Sequence, residues 1–185
     1  MKKPTPDQLC DAVGALMPDI ITPDLRVIFC GINPSVYSAV VGHHFARPGN
    51  RFWRALHQGG FTPHQIAPAD DAQLLDYRLG LTNVAARATV AAADLSNDEL
   101  RASAPILIAK IERYNPRWLA ILGIGAYRIA FDEPRATIGR QRQTIGDTKI
   151  WVLPNPSGLN AHYPPTALAA KFRELNDAVN AIESA

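Results

Sequence analysis

Arg26-Val27-Ile28-Phe29-Cys30-Gly31-Ile32-Asn33-Pro34-Ser35 is the stretch on which the fold turns. Its first half is β-branched and aromatic, and Gly31 stops it. A near-continuous apolar run of that kind predicts a strand covered on both faces, as in a parallel sheet. Gly31 permits close backbone approach, while Pro34 stiffens the turn and holds Asn33 out of the helical region. An ordinary strand-exit turn uses the same residue types, so the turn alone does not separate a site from a connection.

Three more apolar runs read as strands: Leu79 to Val84, Trp118 to Leu122 ending at Gly123, and Lys149 to Leu153 ending at Pro154. Helical patterns lie between them. Asn50 is placed to cap a helix through Phe52, Trp53, Leu56 and His57, with Gly59-Gly60 as its stop. Ser96 and Glu99 fit a capping box that opens a segment of about 18 residues, which Pro105 is expected to bend or divide. From Thr166 to Ile182, Leu168, Phe172, Leu175 and Val179 recur at helical spacing on one face. Strands alternating with helices predict an α/β domain, a three-layer α/β/α sandwich around a short, mostly parallel sheet of four or five strands. Residues 1–22 are punctuated by proline and read as an N-terminal extension, a short helix plus linker; residues 23–185 read as the catalytic domain.

The chain has 185 residues, 47% hydrophobic and 19% charged, which is ordinary globular composition for one domain. No apolar run approaches the roughly 20 residues of a membrane span, and the N-terminus lacks the apolar stretch of a signal peptide, so a cytoplasmic enzyme is expected. Cys10 and Cys30 are the only cysteines. They match no metal-binding spacing and fall short of the roughly four thiolates of an iron–sulfur cluster. Neither a metal nor another cofactor is expected. A net charge of +2 permits a nucleic-acid partner without arguing for one.

In open α/β sheets ligands bind beyond the carboxyl ends of the strands, so the loops after Cys30, Val84, Leu122 and Leu153 carry the interest. Gly42-His43-His44-Phe45-Ala46-Arg47-Pro48-Gly49-Asn50-Arg51-Phe52-Trp53 continues from the first of these. Phe52 and Trp53 read as core, and Phe45, in the loop, as a platform for a planar base. The adjacent His43 and His44 read as solvent or phosphate contacts, not metal ligands. Tyr37 and Ser38 lie where closure of the loop from Ser35 to Phe45 is set. The late loop, Pro154-Asn155-Pro156-Ser157-Gly158-Leu159-Asn160-Ala161-His162-Tyr163, is either a Pro-rich connection or a wedge with Leu159 at its tip.

Together, Gly31-Ile32-Asn33-Pro34, Phe45-Ala46-Arg47-Pro48, Asn50-Arg51-Phe52-Trp53, Asp76-Tyr77-Arg78, Leu81-Thr82-Asn83 and Leu153-Pro154-Asn155-Pro156-Ser157-Gly158-Leu159 resemble the mismatch-specific uracil/thymine DNA glycosylase family. They occur in that family's order and span roughly residues 25 to 175. The resemblance implies a monofunctional enzyme, acting as a monomer on double-stranded DNA, that flips out and hydrolyses uracil mispaired with guanine, with thymine and modified pyrimidines left open. Asn33 takes the family's catalytic position, where an amide orients water but cannot accept a proton. That directs attention to Asp94, in the loop after the second strand, as an assisting base or the holder of a cation or water; a residue approaching the Ser96 cap is the alternative reading. By resemblance Ile32, Phe45, Asn83 and Ser157 bind the base, with Ile32 and Phe45 using backbone N–H groups. The late loop intercalates through Leu159 and meets the widowed guanine through Gly158 and Asn160. Bacterial relatives often carry Arg where this chain has Ala161; His162, next to it, is the available substitute, and dependence on an opposing guanine is left open. Arg47, Arg51 and the histidine pair are expected to meet phosphates, making binding salt-dependent.

Two other readings compete. Gly123-Ile124-Gly125 prompts a dinucleotide-binding enzyme, but Arg128 stands where that fingerprint needs glycine, and the motif follows the wrong strand. The other is a non-catalytic protein that binds mismatched or damaged DNA.

Overall fold

The computed structural model describes residues 3–183. Five strands, β1 (Val27–Gly31), β2 (Leu79–Asn83), β3 (Trp118–Leu122), β4 (Gly139–Ile145) and β5 (Thr148–Leu153), form one sheet in the order β2-β1-β3-β5-β4. The first four in that order are parallel, and β4 runs antiparallel along the β5 edge. Every residue of β1, β2 and β3 is buried, as their unbroken apolarity predicts.

Because side chains alternate across a strand, each face builds its own core. Val27, Phe29, Leu81, Trp118 and Leu153 point to one side and meet α3 (Phe52–Gln58) and α6 (Pro165–Glu183) through Phe52, Leu56, Phe172 and Leu175. Ile28, Cys30, Ile121 and Val152 point to the other and meet α4 (Asn97–Tyr114) and α5 (Ile124–Ala130) through Leu107, Ile111 and Tyr127. The expected layered α/β architecture is what the chain adopts.

Four elements differ from the sequence reading. The segment after Ser35 is not loop throughout: α2 (Val36–Val41) forms there, with the Ser35 hydroxyl accepting from the Ser38 N–H and Gly42 closing it in the left-handed region at φ 74°. β4 is a fifth strand with a polar, largely exposed face, so it carries no apolar run; the Gly146 turn is its one local signal. α4 is one helix of 18 residues that runs through Pro105. Its Ser96 cap accepts from the Glu99 N–H, but the Glu99 carboxylate leaves the cap to pair with Arg87, so the reciprocal half of the box is missing. Asn50 caps α3 from one residue further out than a standard cap, its side chain accepting from the Phe52 N–H.

The N-terminal segment carries α1 (Pro6–Asp11), opened by a capping box between Thr5 and Gln8. Beyond it the chain lies against the domain: the N–H of Ile20 reaches the Leu81 carbonyl at 2.9 Å and the reverse bond is 2.8 Å. No helix among the described residues is long and apolar enough to cross a membrane.

Candidate active site

Parallel strands bring their carboxyl ends to one edge, and there Gly31, Asn83, Leu122 and Asn155 border a cavity of about 310 Å³. The remaining wall comes from Met17, from the turn Ile32 to Ser35, from Ser38, from His44, Phe45, Arg47 and Asn50, and from the loops 89–93 and 155–159. Five of the residues singled out from the sequence, Ile32, Asn33, Phe45, Asn83 and Ser157, thus line one space, joined at its mouth by Leu159.

Asn33 is fixed by its neighbours. Its Nδ2 donates to the Arg87 carbonyl at 3.0 Å and to the Thr89 hydroxyl at 2.7 Å. The Thr89 hydroxyl spends its own proton on the Ala91 carbonyl at 2.7 Å, so toward Asn33 it can only accept. Two acceptors on one side of the amide determine which end is NH2. Oδ1, to which no described residue donates, is left as an acceptor in the cavity wall.

Asn83 ends β2 and is 8% exposed, yet its side chain makes no hydrogen bond to any described residue. Buried amides are ordinarily satisfied, so one that lines a cavity unpaired is suited to a ligand that supplies the partners. Its position depends on Gly31: a Cβ there would stand 2.5 Å from the Asn83 Oδ1 and 3.3 Å from the Phe45 ring. The missing side chain of Gly31 is the space in which the amide and the ring meet the strand end.

Phe45 lies on the Phe52 ring, centroids 4.1 Å apart and planes 24° from parallel, and its remaining surface borders the cavity. Its φ of 52° is strained for a non-glycine residue, at a cost of about 1–3 kcal/mol that the surroundings must offset. They do so on both sides of it. Asp71, buried on the 3-10 segment Pro68–Tyr77, accepts from the His44 N–H at 2.9 Å and pairs with the His43 ring at 3.1 Å. Trp53 Nε1 donates to the His44 carbonyl, and the Ala46 N–H donates to the Ser38 hydroxyl. Ser38, bonded in turn to the Ser35 hydroxyl, ties the two ends of this segment together; Tyr37 does not line the cavity. The backbone N–H groups of Ile32 and Phe45 find no acceptor among the described residues.

His44 corrects the expected phosphate contact. It is 3% exposed, and its Nε2 faces the Pro18 carbonyl at 3.0 Å, which requires that nitrogen to carry the proton. Burial pulls its pKa below the ordinary 6.5, against the pull of the Pro18 carbonyl and Asp71, so the ring is neutral near pH 7. His43, partly exposed, is engaged with Asp71.

Arg51 is a second correction. Its guanidinium donates to the carbonyls of Tyr163 at 2.6 Å, Ser157 at 2.5 Å, Asn160 at 3.0 Å and Pro156 at 3.4 Å, and its own N–H reaches Pro156 as well. A planar fork that spends four of its five donors on loop carbonyls organises the late loop, and one Nη1–H is all it keeps for another partner. Composition could not reveal this, because the acceptors are backbone atoms about a hundred residues away. Gly158 completes the fit: a Cβ there would lie 2.6 Å from the Gly49 carbonyl, so the two loops touch through its bare backbone. Within the loop Asn160 is engaged at both ends, its Nδ2 on the Asn155 carbonyl, its Oδ1 accepting from the His162 N–H and its backbone on Ser157 and Arg51. The Gly158 N–H and carbonyl have no partner among the described residues. Leu159 stands 82% exposed at the tip, and His162 is exposed beside it.

Asp94 is not brought to Asn33's cavity. It is exposed in the 3-10 turn Ala92–Asp94, and its carboxylate folds back to accept from the Ala91 N–H at 2.9 Å. Thr89, which orients the Asn33 amide, is the residue the sequence reading missed; a lone threonine in a small-residue loop gives no local signal. Among the described residues no His, Cys, Asp and Glu group could hold a metal ion. Cys30 is fully buried, and burial pushes its thiol far above the ordinary range, with Lys110 opposing and Asp19 adding.

Residues 18–180 match the family model described as the uracil DNA glycosylase superfamily. In structure the chain is similar to a candidate uracil DNA glycosylase from Methanosarcina acetivorans solved in solution by NMR. The TM-score is 0.59 over 89% of this chain and 99% of that one, at 19% sequence identity, a likeness of fold.

Proposed function

The chain belongs to the uracil DNA glycosylase superfamily, and from that premise we propose that it is a monofunctional glycosylase that excises uracil mispaired with guanine from duplex DNA. The observation that carries the reading is the Asn33 amide, turned by Arg87 and Thr89 so that a free acceptor oxygen stands in the same cavity as the unpaired Asn83 amide and the Phe45 ring.

In this reading a flipped uracil stacks on Phe45, and Asn83 meets its hydrogen-bonding edge. The backbone N–H groups of Ile32 and Phe45 bind base oxygens, and Ser157 borders the base from the late loop. Asn33 Oδ1 accepts a hydrogen bond from water and holds its oxygen toward C1′. The C1′–N1 bond breaks with its electron pair leaving on the base, the water oxygen bonds to C1′, and the proton it sheds ends on the released uracil. Unpaired N–H donors aimed at the base oxygens stabilise the anion as it forms, in a site where such donors need not reorganise. Asn33 positions water and takes no proton, consistent with its chemistry. Asp94 shapes the 89–94 loop that presents Thr89. Among the described residues no lysine lines the cavity, which supports hydrolysis to an abasic site without a Schiff base.

On the DNA side, Leu159 fills the space the base leaves, and Gly158, with its unpaired backbone groups, meets the widowed guanine. Asn160 holds the loop in shape for that contact. Specificity between uracil and thymine rests on closure of the segment 35–46; a methyl group discriminates by about 1–3 kcal/mol.

The test is a cleavage panel over G·U, G·T, A·U and single-stranded uracil, read by alkali treatment of an end-labelled strand. The expected result is alkali-dependent cleavage with G·U fastest. No release from any uracil substrate, with the duplex still bound, would instead favour a binder without activity.

A further inference from the structure

The stretch from Ala12 to Ile20 runs along the loops that hold the site. The Gly14 N–H donates to the Ala88 carbonyl at 2.9 Å, the Ala88 N–H donates to the Ala15 carbonyl at 2.8 Å, and Leu16 bridges Arg87. Its partner strand is therefore the same segment whose Arg87 carbonyl and Thr89 hydroxyl turn the Asn33 amide. Just before it, α1 packs on α2 through Ala12, Val36 and Ala88, and α2 joins the Asn33 turn to the Phe45 loop. Just after, Met17, 8% exposed, enters the cavity wall, and the Pro18 carbonyl takes the His44 Nε2 proton one residue from Phe45. An anchor follows. Lys110 Nζ lies 2.6 Å from Asp19 Oδ2 and donates to the Thr82 hydroxyl at 3.0 Å, and that hydroxyl donates to Asp19 Oδ1 at 2.7 Å.

We propose that this N-terminal arm, residues 5–20, is a working wall of the active site: Met17 borders the base pocket, and the arm positions, through the 87–89 segment, α2 and His44, the groups that hold the water and the base. The proposal rests on the glycosylase reading above. Its physical basis is placement. The 87–89 segment lies outside the sheet; on one side Thr89 bonds to the turn, its N–H to the Pro34 carbonyl at 3.1 Å and its carbonyl from the Val36 N–H at 3.0 Å, which leaves the other side, at Ala88, to the arm. The arm gives it a hydrogen-bonded partner, and a displacement of about 1 Å in a reacting group is enough to cost roughly a hundredfold in rate. Most of the arm lies before residue 18, where the family match begins.

Three full-length variants test it: Met17→Ala, Met17→Leu and Ala12→Glu, the last burying a charge between α1 and α2. Single-turnover release of uracil from a G·U duplex gives the chemical rate. Affinity is measured on the same duplex carrying a 2′-fluorinated, hydrolysis-resistant deoxyuridine, and thermal melting reports the fold. Met17→Ala and Ala12→Glu are expected to lower the rate about tenfold or more with affinity nearly unchanged, while Met17→Leu, which conserves volume, keeps the rate. Rates unchanged in Met17→Ala and Ala12→Glu would overturn the proposal, as would rate, affinity and melting temperature falling together. Should Ala12→Glu fail to fold, Met17→Ala decides alone, since it removes no backbone bond. Wild-type protein that releases no uracil would refute the glycosylase reading and this proposal with it; active wild type with unaffected variants refutes the arm alone.

Discussion

At the scale of single residues, the site is made by what its neighbours leave unpaired. Asn33 has its nitrogen occupied and its oxygen free, Asn83 has neither end occupied, and Gly31 gives both the amide of Asn83 and the ring of Phe45 their room. Gly31→Ala should therefore act on the base, not on the strand. The β1 backbone tolerates alanine, while the new Cβ displaces the Asn83 amide. The expected result is a fall in excision rate of about tenfold or more with little loss of melting temperature, checked by single-turnover assay and thermal unfolding. His44 carries a pH signature. Its folded pKa lies below 6.5, so between that value and 6.5 the unfolded chain binds more protons. Folding stability should fall as pH drops through 6.5, and denaturant midpoints from pH 8 to 5 should show a shallower decline in His44→Gln. The sequence marked Asn33, Asn83 and Phe45 because each sits at a strand exit or in a loop of unusual composition. It could not mark Thr89, whose role is fixed by a partner more than fifty positions away.

At the scale of elements, the late loop is braced by hydrogen bonds. Arg51 bonds to four of its carbonyls and Asn160 braces it from within, which leaves Leu159 projecting from a fixed base. A wedge matters only where there is a stack to enter. Leu159→Ala should slow uracil release from duplex about tenfold or more, unstacking being worth a few kcal/mol, and leave release from single strands nearly unchanged. The comparison of both substrates in one assay checks this. Elements with strong periodicity or unbroken apolarity, β1, β3, β5, α4 and α6, were legible from the chain to within about two residues. α2 was not: its six residues are too short for a helical period, and only the Ser35 and Gly42 caps announced it. β4 was not legible either, because an edge strand exposed along most of its length has no apolar alternation to read.

At the scale of the whole molecule, two cores support one functional edge. Helices cover both faces of the sheet, so the carboxyl ends of β1, β2, β3 and β5 are where backbone and polar side chains remain available. Net charge is small, and of the two arginines expected to meet phosphate, Arg51 turns most of its donors to the late loop while Arg47 stays exposed at the cavity mouth. Arg47→Ala should reduce the slope of log affinity against log salt by about one, measured on a G·U duplex by anisotropy. The fold was legible because parallel-sheet burial writes itself into short apolar runs. The site was legible where loops carried costly residues, and hidden where backbone carbonyls and a lone hydroxyl did the positioning.

In the proposed reaction Asn33 holds the water that displaces uracil. The decisive comparison is a single-turnover alkaline-cleavage assay of wild type and Asn33→Ala on a G·U duplex, with affinity for the duplex measured in parallel. Wild type is expected to release uracil, and the variant to lose about a hundredfold or more in rate at unchanged affinity. A variant that cleaves at the wild-type rate would contradict that role.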